Sequence, residues 1–200
     1  MFARTERLLL RPGWAEDARA LHEAIADEAI VRNLASAPWP YTLAHAESYL
    51  ATERRPDEPS FLVFRRTGGA PRLVGCAGLG RRPDGEIELG YWVSREHWGL
   101  GYATEAAEAV VGIARDALRL PKLHAGHFLD NPASGRVLAK LGFRPTGVIA
   151  PHYSAGRGEA AACRSYELDL RKKAATSRAA LQALESVEPE SARRVPAMAA

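Results

Sequence analysis

The sequence predicts a single domain of the α/β (α+β) class, with a central sheet that is mixed but mainly antiparallel and is flanked by helices. Two hundred residues with 46% hydrophobic content are enough to bury one sizeable core. Three strand-like runs follow one another across short Gly- and Pro-rich links, which are typical of antiparallel neighbours in a meander. Apolar residues recur at helical spacing in other segments. The sequence therefore predicts helices packed against a sheet.

The N-terminal half begins with one strand and three helices, and the meander follows. Pro12-Gly13 ends the first strand, and Pro38-Trp39-Pro40 separates the second helix from the third. Thr42 is in the position of an N-cap for the third helix. The predicted elements are a strand over 6–11, helices over 15–27, 28–34 and 43–54, and strands over 60–66, 72–81 and 86–94.

The C-terminal half alternates helices with strands and ends in a change of composition. Its predicted elements are a helix over 101–118, a strand over 122–129, a helix over 132–141, and strands over 143–149 and 162–170. Beyond residue 170 the chain is rich in Ala, Arg, Ser and Glu and has no aromatic residue. We therefore expect a domain over residues 1–172 and a basic, Ala-rich, disordered tail over residues 173–200.

Charge, hydropathy and cysteine content limit the classes of function. Residues 171–200 contain six of the 27 Lys and Arg and three of the 24 Asp and Glu, so the net charge of +3 belongs to that segment. A neutral domain is a poor electrostatic partner for nucleic acid. The sequence has no apolar run long enough to cross a bilayer. Cys76 and Cys163 fall in predicted strands as buried thiols, so we expect a cytoplasmic protein without nucleic-acid or membrane partners.

The stretch HWGLGYATEAAEA at 97–109 joins the last meander strand to an Ala-rich helix through a turn that contains Gly99 and Gly101. The start of a helix has unpaired N–H groups and a partial positive charge, both of which suit a phosphate. Glycine lets the backbone approach phosphate oxygens without a Cβ in the way. The third glycine of a dinucleotide fingerprint is missing, as is the Lys-Ser/Thr of a P-loop. On these residues alone, a plain tight turn is the alternative.

Three motifs together resemble the GNAT acetyltransferase superfamily. Its acyl-CoA pyrophosphate loop, Arg/Gln-x-x-Gly-x-Gly/Ala, is similar to WGLGYA at 98–103, with Trp98 at the Arg/Gln position. Its second CoA-side helix resembles NPAS at 131–134 with KLGF at 140–143, and its pantetheine strand resembles ELGYWV at 88–93. The Trp-Gly-x-Gly-Tyr-Ala-Thr-Glu form with Asn-x-x-Ser is most similar to the Rim-type ribosomal-protein N-acetyltransferases. The resemblance covers residues 4–170 and implies the GNAT fold.

The resemblance implies acetyl-CoA as a cosubstrate, and we expect no metal. Val93 and its neighbours would offer strand N–H and C=O groups to the pantetheine arm, which would act as a pseudo-strand. Arg136 and Lys140 lie four residues apart on a predicted helix and would reach a CoA phosphate, with a solvated helix face as the alternative. The implied cosubstrate-binding residues are Trp92, Val93, Trp98, Gly99, Gly101, Tyr102, Ala103, Thr104, Asn131, Ser134, Arg136 and Lys140.

Acetyl transfer from a thioester to an amine requires that the amine be neutral when it attacks, so a base is needed near the thioester. We predict Glu88 as this base, with a solvated strand residue as the alternative. Glu86 lies two residues away on the same face of the strand. His127 and His124 lie on opposite faces of another predicted strand, where either would titrate in a useful range or serve a structural role.

Many family members have a tyrosine acid four residues before the Gly-Phe pair, but this chain has Leu138 there. Ser134, one turn after Asn131, is the natural substitute. It would protonate the departing thiolate or hold a water that does, and an ordinary helix-start residue is the alternative. Asn131 resembles the CoA-contacting asparagine of the family, and a role as N-cap is compatible with that contact.

The predicted activity is acetyl-CoA-dependent N-acetylation of a primary amine by direct attack in a ternary complex, since neither cysteine has a recognisable His partner. The family resemblance implies a protein N-terminus as acceptor. Acetylation of a small amine, such as an antibiotic or a polyamine, and a CoA-binding module without turnover are the alternatives. A homodimer through the last strands or the tail is left open. The predicted acceptor-binding residues are Trp39, Tyr41, Glu88 and His127, with helix packing as the alternative role of the two aromatic residues.

Overall fold

The structure is a computed structural model of the 200-residue chain and describes residues 1–66 and 69–171. The predicted tail over 173–200 therefore lies outside the described residues. Within them, eight strands form one sheet. The strands are β1 Ala3–Arg4, β2 Leu8–Arg11, β3 Ser60–Arg65, β4 Arg72–Arg81, β5 Ile87–Val93, β6 Lys122–Phe128, β7 Arg144–Ser154 and β8 Glu159–Asp169.

Helices cover both faces of this sheet. They are α1 Ala18–Ile25, α2 Glu28–Val31, α3 Leu43–Ala51, α4 Tyr102–Gly112 and α5 Pro132–Lys140. Short 3₁₀ turns at Ala15–Asp17 and Arg95–His97 come before α1 and α4, and α4 continues into a π-helical turn at Ile113–Ala117. In the described part of the chain, no helix has the length and apolar character needed to span a membrane.

The strand order is β1-β2-β3-β4-β5-β6-β8-β7, and β5–β6 is the parallel pair among these strands. A parallel connection requires a crossover, which α4 provides between the end of β5 and the start of β6. Among the described residues these two strands are joined at a single register position, Glu88 opposite His124. Beyond that position the strands separate, so the sheet has an opening near its middle. The mixed, mainly antiparallel sheet confirms the predicted fold class.

Two hydrophobic clusters hold the helices to the sheet. On one face, Val110 of α4 and Leu138 of α5 are buried with strand residues such as Leu8. On the other face, α1, α2 and α3 pack over the sheet and bury residues that include Leu21 and Phe64. Each such aliphatic or aromatic side chain contributes about 1.5–3 kcal/mol through removal from water. The central strands are therefore covered on both sides, which fixes the position of the opening between β5 and β6.

The N-termini of the helices differ in how their free N–H groups are satisfied. Asp27 accepts a hydrogen bond at the start of α2, Thr42 at the start of α3, as predicted, and Asn131 at the start of α5. In contrast, α4 begins after Gly101, whose φ is 82°, and it has no side-chain cap. A helix start without a cap leaves backbone donors free for another partner.

The helices predicted over 15–27 and 43–54 are the shorter α1 and α3, and three further predictions of element bounds were wrong. The helix predicted over 28–34 is only the four-residue α2, because the Asn33 side chain donates to the carbonyl of Ala29 and ends the helix. The helix predicted over 101–118 changes to π geometry at Ile113. The last strand pair, predicted over 143–149 and 162–170, is the longer hairpin of β7 and β8. Most of β7 is exposed on both faces, so it lacks the alternating pattern by which a half-buried strand is predicted.

Candidate active site

A cleft of about 760 Å³ occupies the opening between β5 and β6. The starts of α4 and α5 form one part of its wall, and α2 with β7 forms the opposite part. All residues predicted for cosubstrate binding and catalysis line this cleft, together with the predicted acceptor residue His127. They are Glu88, Trp92, Val93, Trp98, Gly99, Gly101, Tyr102, Ala103, Thr104, His127, Asn131, Ser134, Arg136 and Lys140.

The start of α4 presents a run of free backbone donors at the cleft. In the described part of the chain, the N–H groups of residues 99–104 have no hydrogen-bond acceptor. Gly99 and Gly101 have φ values of 78° and 82°, in the left-handed region that favours glycine. A Cβ on Gly99 would meet no protein atom within 4 Å. The backbone conformation therefore favours glycine at both positions, and the absence of a Cβ leaves the space above the loop open to a ligand.

Trp98 connects the end of β5 to the glycine turn. Its indole N–H donates to the carbonyl of Val93 at 2.7 Å, while the ring is 47% exposed. A carbonyl oxygen has two lone pairs, so this bond occupies one acceptor position of Val93 and leaves the other for a further donor. The contact is not predictable from the sequence, because Val93 and Trp98 stand on either side of a 3₁₀ turn.

Glu88 is half-buried and lines the cleft. Its carboxylate has no hydrogen bond among the described residues, whereas Glu86 is paired with His124 at 3.1 Å. A Cβ on Gly126 would lie 3.9 Å from Oε1 of Glu88 and 3.0 Å from Sγ of Cys163, so glycine at 126 keeps the space beside the carboxylate open. Burial, followed by the charge of Glu88, raises the pKa of the Cys163 thiol.

Ser134 lies on the first turn of α5, and its hydroxyl is 2.9 Å from that of Tyr91 on β5. The Ser134 N–H donates to Asn131 Oδ1 at 3.3 Å, so Asn131 acts as the N-cap. Burial raises the pKa of Tyr91 to about 12. Leu138 is 1% exposed and belongs to the core. Tyr91 was not among the predicted site residues, because nothing in the sequence indicates which helix its hydroxyl reaches.

Both ring nitrogens of His127 are occupied. Nδ1 is 2.8 Å from the carbonyl of Phe128, and Nε2 is 3.2 Å from the hydroxyl of Tyr166. A carbonyl only accepts, so Nδ1 carries the proton and Nε2 accepts from Tyr166. The ring also lies beneath Gly135, where a Cβ would be 2.7 Å from Nε2. The His127 ring thus lines the cleft and is held in place at both nitrogens.

The structure does not bring Trp39 and Tyr41 to the cleft. Tyr41 is 7% exposed in the second hydrophobic cluster, and its ring centroid is 5.5 Å from that of His45. Burial raises the pKa of Tyr41 to about 12. Trp39 is 42% exposed but does not line the cleft. Both residues come just before α3, and neither is among the residues that line the cleft.

A further wall, which was not predicted from the sequence, closes the far side of the cleft. It is mainly apolar and also contains Asn33 and His152. Its members are Ala29, Ile30, Asn33, Leu34 and Ala35 near α2, and Val148, Ala150, Pro151 and His152 on β7. Among the described residues that line the cleft, Glu88 is the one acid.

The turn between β7 and β8 is fastened to the segment after α2. The Arg157 guanidinium donates twice to Asp130, at 2.8 Å each, and once to the carbonyl of Arg32. Ser154 Oγ donates to the carbonyl of Leu34 at 2.8 Å. The hydrogen bond from Arg157 lowers the pKa of Asp130 below its ordinary value. This hairpin clamp (Arg157, Asp130 and Ser154) joins the β7–β8 hairpin to the segment after α2 and to the loop before α5.

Arg136 and Lys140 place two cations at the rim. Both side chains are exposed on α5 and line the cleft. Within the described ranges neither has an ion-pair partner. Unpaired cations beside free helix amides form an electropositive end of the cleft, which favours an anionic ligand there.

Comparison with protein families decides the class. The family model described as "Acetyltransferase (GNAT) domain" matches residues 7–144. The chain belongs to the GNAT acetyltransferase family. It is 30% identical over 152 residues to the uncharacterized N-acetyltransferase YoaA of Bacillus subtilis (strain 168), an alignment that covers 72% of this chain and 84% of YoaA.

Solved GNAT structures have the same fold. The acetyltransferase (GNAT family) of Bacillus anthracis superposes with a TM-score of 0.73 at 24% identity and covers 86% of this chain and 99% of its own. RimL, a ribosomal L7/L12 α-N-protein acetyltransferase in complex with coenzyme A, superposes with a TM-score of 0.71 at 16% identity and covers 84% and 98% of the two chains. The family membership confirms the predicted GNAT fold and the predicted class of enzyme, an acyl-CoA-dependent N-acetyltransferase.

Proposed function

We propose that this acetyltransferase moves the acetyl group of acetyl-CoA to the α-amino group at a polypeptide N-terminus, in a ternary complex held in the cleft. One observation carries the proposal: the uncapped N–H groups of residues 99–104 open onto the gap between β5 and β6. Free amides at a helix start attract a diphosphate, and an open strand edge pairs with an amide-bearing chain. RimL, which shares the fold, is described in complex with coenzyme A.

The cosubstrate is proposed to lie with its diphosphate against the start of α4 and its pantetheine arm along β5. Arg136 and Lys140 supply the positive charge that a CoA phosphate requires. The proposed contacts are Trp92, Val93, Trp98, Gly99, Gly101, Tyr102, Ala103, Thr104, Asn131, Ser134, Arg136 and Lys140. We also propose a cytoplasmic location, since Cys76 and Cys163 are both free thiols.

The acid and the base are proposed to act from opposite faces of the sheet. Glu88 and Tyr91 are three positions apart on β5, so their side chains leave the strand on opposite faces, and Tyr91 contacts Ser134 on its own side. Glu88 accepts the proton of the attacking amine as the N–C bond forms. The C–S bond then breaks, and Ser134 donates a proton to the departing thiolate. The unpaired state of the Glu88 carboxylate supports this role over His127, whose nitrogens are occupied.

The lining of the far wall favours an uncharged segment next to the amine. A polyamine or an aminoglycoside carries several ammonium groups and needs several carboxylates, but Glu88 is the one acid among the described lining residues. An N-terminal residue brings a single amine followed by neutral backbone. Its α-amine has a pKa of about 8, against about 10.4 for lysine, so one carboxylate base is enough near neutral pH.

The experiment that tests this proposal is an acceptor panel with acetyl-CoA. It contains peptides with a free N-terminus, the same peptides N-acetylated but with an internal lysine, and spermidine. Thiol release gives the rate, and mass spectrometry locates the acetyl group. Acetylation confined to the free α-amine is the expected result. Faster acetylation of spermidine or of the internal lysine contradicts the proposed acceptor, and thiol release with no acceptor modified contradicts transfer itself.

A further inference from the structure

Arg7, in the turn between β1 and β2, contacts the glycine turn from outside the cleft. Its Nε donates to Oε2 of Glu105 at 2.7 Å, and its NH1 donates to the carbonyl of Leu100 at 3.0 Å. Its guanidinium carbon lies 4.8 Å from the centroid of the Tyr102 ring. One side chain from the start of the chain thus contacts the turn, the first helical residue and the first turn of α4.

The contact with Leu100 fixes the orientation of one peptide unit. A trans peptide directs its C=O and N–H in opposite directions, so a Leu100 carbonyl that faces Arg7 turns the N–H of Gly101 away from Arg7. Arg7 lines a separate groove of about 870 Å³ on the outer side of α4, whereas Gly99 and Gly101 line the cleft. The N–H of Gly101 is therefore directed to the cleft side of the turn.

The contact with Glu105 removes an unfavourable charge. A free carboxylate in the first turn of α4 would repel a diphosphate bound at the same helix start. Here Thr5 donates to Oε1 of Glu105 at 2.6 Å, and the Arg7 backbone N–H donates to the same oxygen at 2.9 Å. Burial raises the pKa of Glu105, but these hydrogen bonds and the Arg7 guanidinium outweigh it and lower the pKa overall. The carboxylate is thus ionised and neutralised from the outer side.

We propose that Arg7 is a positioning residue for the cosubstrate: it holds the Leu100–Gly101 peptide in the orientation that donates to the diphosphate, and it neutralises Glu105 behind that site. The inference rests on the proposed binding of acetyl-CoA at α4. It goes beyond the three sequence motifs, because Arg7 lies 98 residues from Glu105 and is not itself a lining residue of the cleft.

The test compares Arg7→Met with Arg66→Met by isothermal titration. Arg66 is the matched control: its NH1 donates to the carbonyls of Thr5 and Glu6 in the same turn, but it does not contact the glycine turn. Two probes are used, acetyl-CoA and S-acetylpantetheine, which has the thioester arm but no diphosphate. Circular dichroism and thermal unfolding check that each variant is folded.

The expected result is that Arg7→Met raises the Kd for acetyl-CoA by about tenfold, or about 1.4 kcal/mol. Its Kd for S-acetylpantetheine stays at the wild-type value, and Arg66→Met binds both probes as the wild type does. A merely structural role for Arg7 would weaken both probes together. If Arg7→Met does not fold, Arg7→Lys replaces it. The lysine ammonium keeps a positive charge beside Glu105 but lacks the planar guanidinium that donates both to Glu105 and to the Leu100 carbonyl. The Kd of Arg7→Lys for acetyl-CoA is expected to rise about threefold.

Two results overturn the inference. An Arg7 variant that binds acetyl-CoA as tightly as Arg66→Met shows that the turn is correctly oriented without the guanidinium. Equal weakening of both probes shows that Arg7 only supports the domain. If the wild type binds neither probe, the proposed function fails, and the inference fails with it; binding by the wild type separates the two cases.

Discussion

The hydroxyl oxygen of Tyr91 lies 2.9 Å from the hydroxyl oxygen of Ser134, and the bond joins β5 to the first turn of α5. With its pKa raised to about 12 by burial, Tyr91 is a neutral donor throughout the physiological range. The Tyr91 hydroxyl also donates to the backbone carbonyl of Ser134 at 3.2 Å. We propose that its proton turns to Ser134 Oγ in the catalytic complex, which leaves the serine hydrogen for the departing thiolate. Leu138, where many family members have a tyrosine, is buried in the core.

Ser134→Ala is expected to lower kcat by about ten- to hundredfold, at or below the lower end of the usual range for general acid catalysis, because a thiolate leaves readily even without a proton. The Kd for acetyl-CoA is expected to rise less, by about two- to threefold, because Ser134 is one of several proposed contacts with the cosubstrate. Tyr91→Phe keeps the serine and is expected to lose only about three- to tenfold in kcat. Thiol release and titration measure both quantities. A wild-type kcat in Ser134→Ala would remove the serine from the mechanism.

Glu88→Gln is expected to lower kcat/KM by about 10²–10⁴ at neutral pH, since the glutamine cannot accept the proton of the amine. At high pH the amine is already neutral, so the loss should shrink. For an α-amine the recovery is centred near pH 8, whereas for a lysine amine it lies above about pH 10. A rate profile from pH 6 to 10 with one peptide acceptor, at about half-unit steps, measures this recovery. A loss that stays constant with pH would contradict a role for Glu88 as base.

Asp130→Asn is expected to loosen the hairpin clamp and lower the melting temperature at pH 7. The pKa of Asp130 is lowered by Arg157, so the stabilisation is fully present above the ordinary value of 3.8 and is lost as the pH falls below it. The melting temperatures of variant and wild type should therefore converge as the pH falls below about 4. The variant should also raise the acceptor KM. Asp57→Asn, which breaks ion pairs with Arg55 and Arg81 outside the cleft, should leave the acceptor KM unchanged. A constant difference in melting temperature down to low pH would contradict the ion-pair explanation.

Gly135→Ala is expected to destabilise the fold by about 1–3 kcal/mol through overpacking, because the new Cβ would lie 2.7 Å from His127 Nε2 and the ring is held at both nitrogens. Gly112→Ala is the matched control. Gly112 has helical φ and ψ, and a Cβ there would meet no neighbour within 4 Å, so the substitution should stabilise the fold by about 0.5–1 kcal/mol. Urea unfolding measures both. Equal stability of the two variants would show that the His127 ring can move.

Features that depend on local sequence were predicted correctly. The Thr42 cap and the glycine turn at 99–101 each express the preference of a few adjacent residues for one backbone conformation. The order of strands and helices followed from periodicity and from Gly/Pro links in the same way. These features place the start of α4 beside the end of β5, and with it the part of the cleft that the family motifs describe.

Pairings between distant segments were not predictable, because no local preference encodes them. Tyr91 and Ser134 are 43 residues apart, and Arg7 and Glu105 are 98 apart, so only the tertiary fold shows that they meet. Tyr41 is an aromatic residue of the kind that lines binding pockets, yet it is buried in the core. The wall of α2 and β7 is mainly apolar, and its place beside the cleft depends on the contacts of the hairpin clamp between distant segments.

Titration of acetyl-CoA into Gly99→Val and Gly85→Val shows whether acetyl-CoA binds at the start of α4. Both glycines have positive φ and open space around the missing Cβ, so the backbone strain is matched, but of the two Gly99 alone lines the cleft. We expect a Kd of about 1–100 μM for wild type and Gly85→Val, and loss of binding in Gly99→Val. Unchanged binding in a folded Gly99→Val, or no binding by the wild type, would contradict binding at the start of α4.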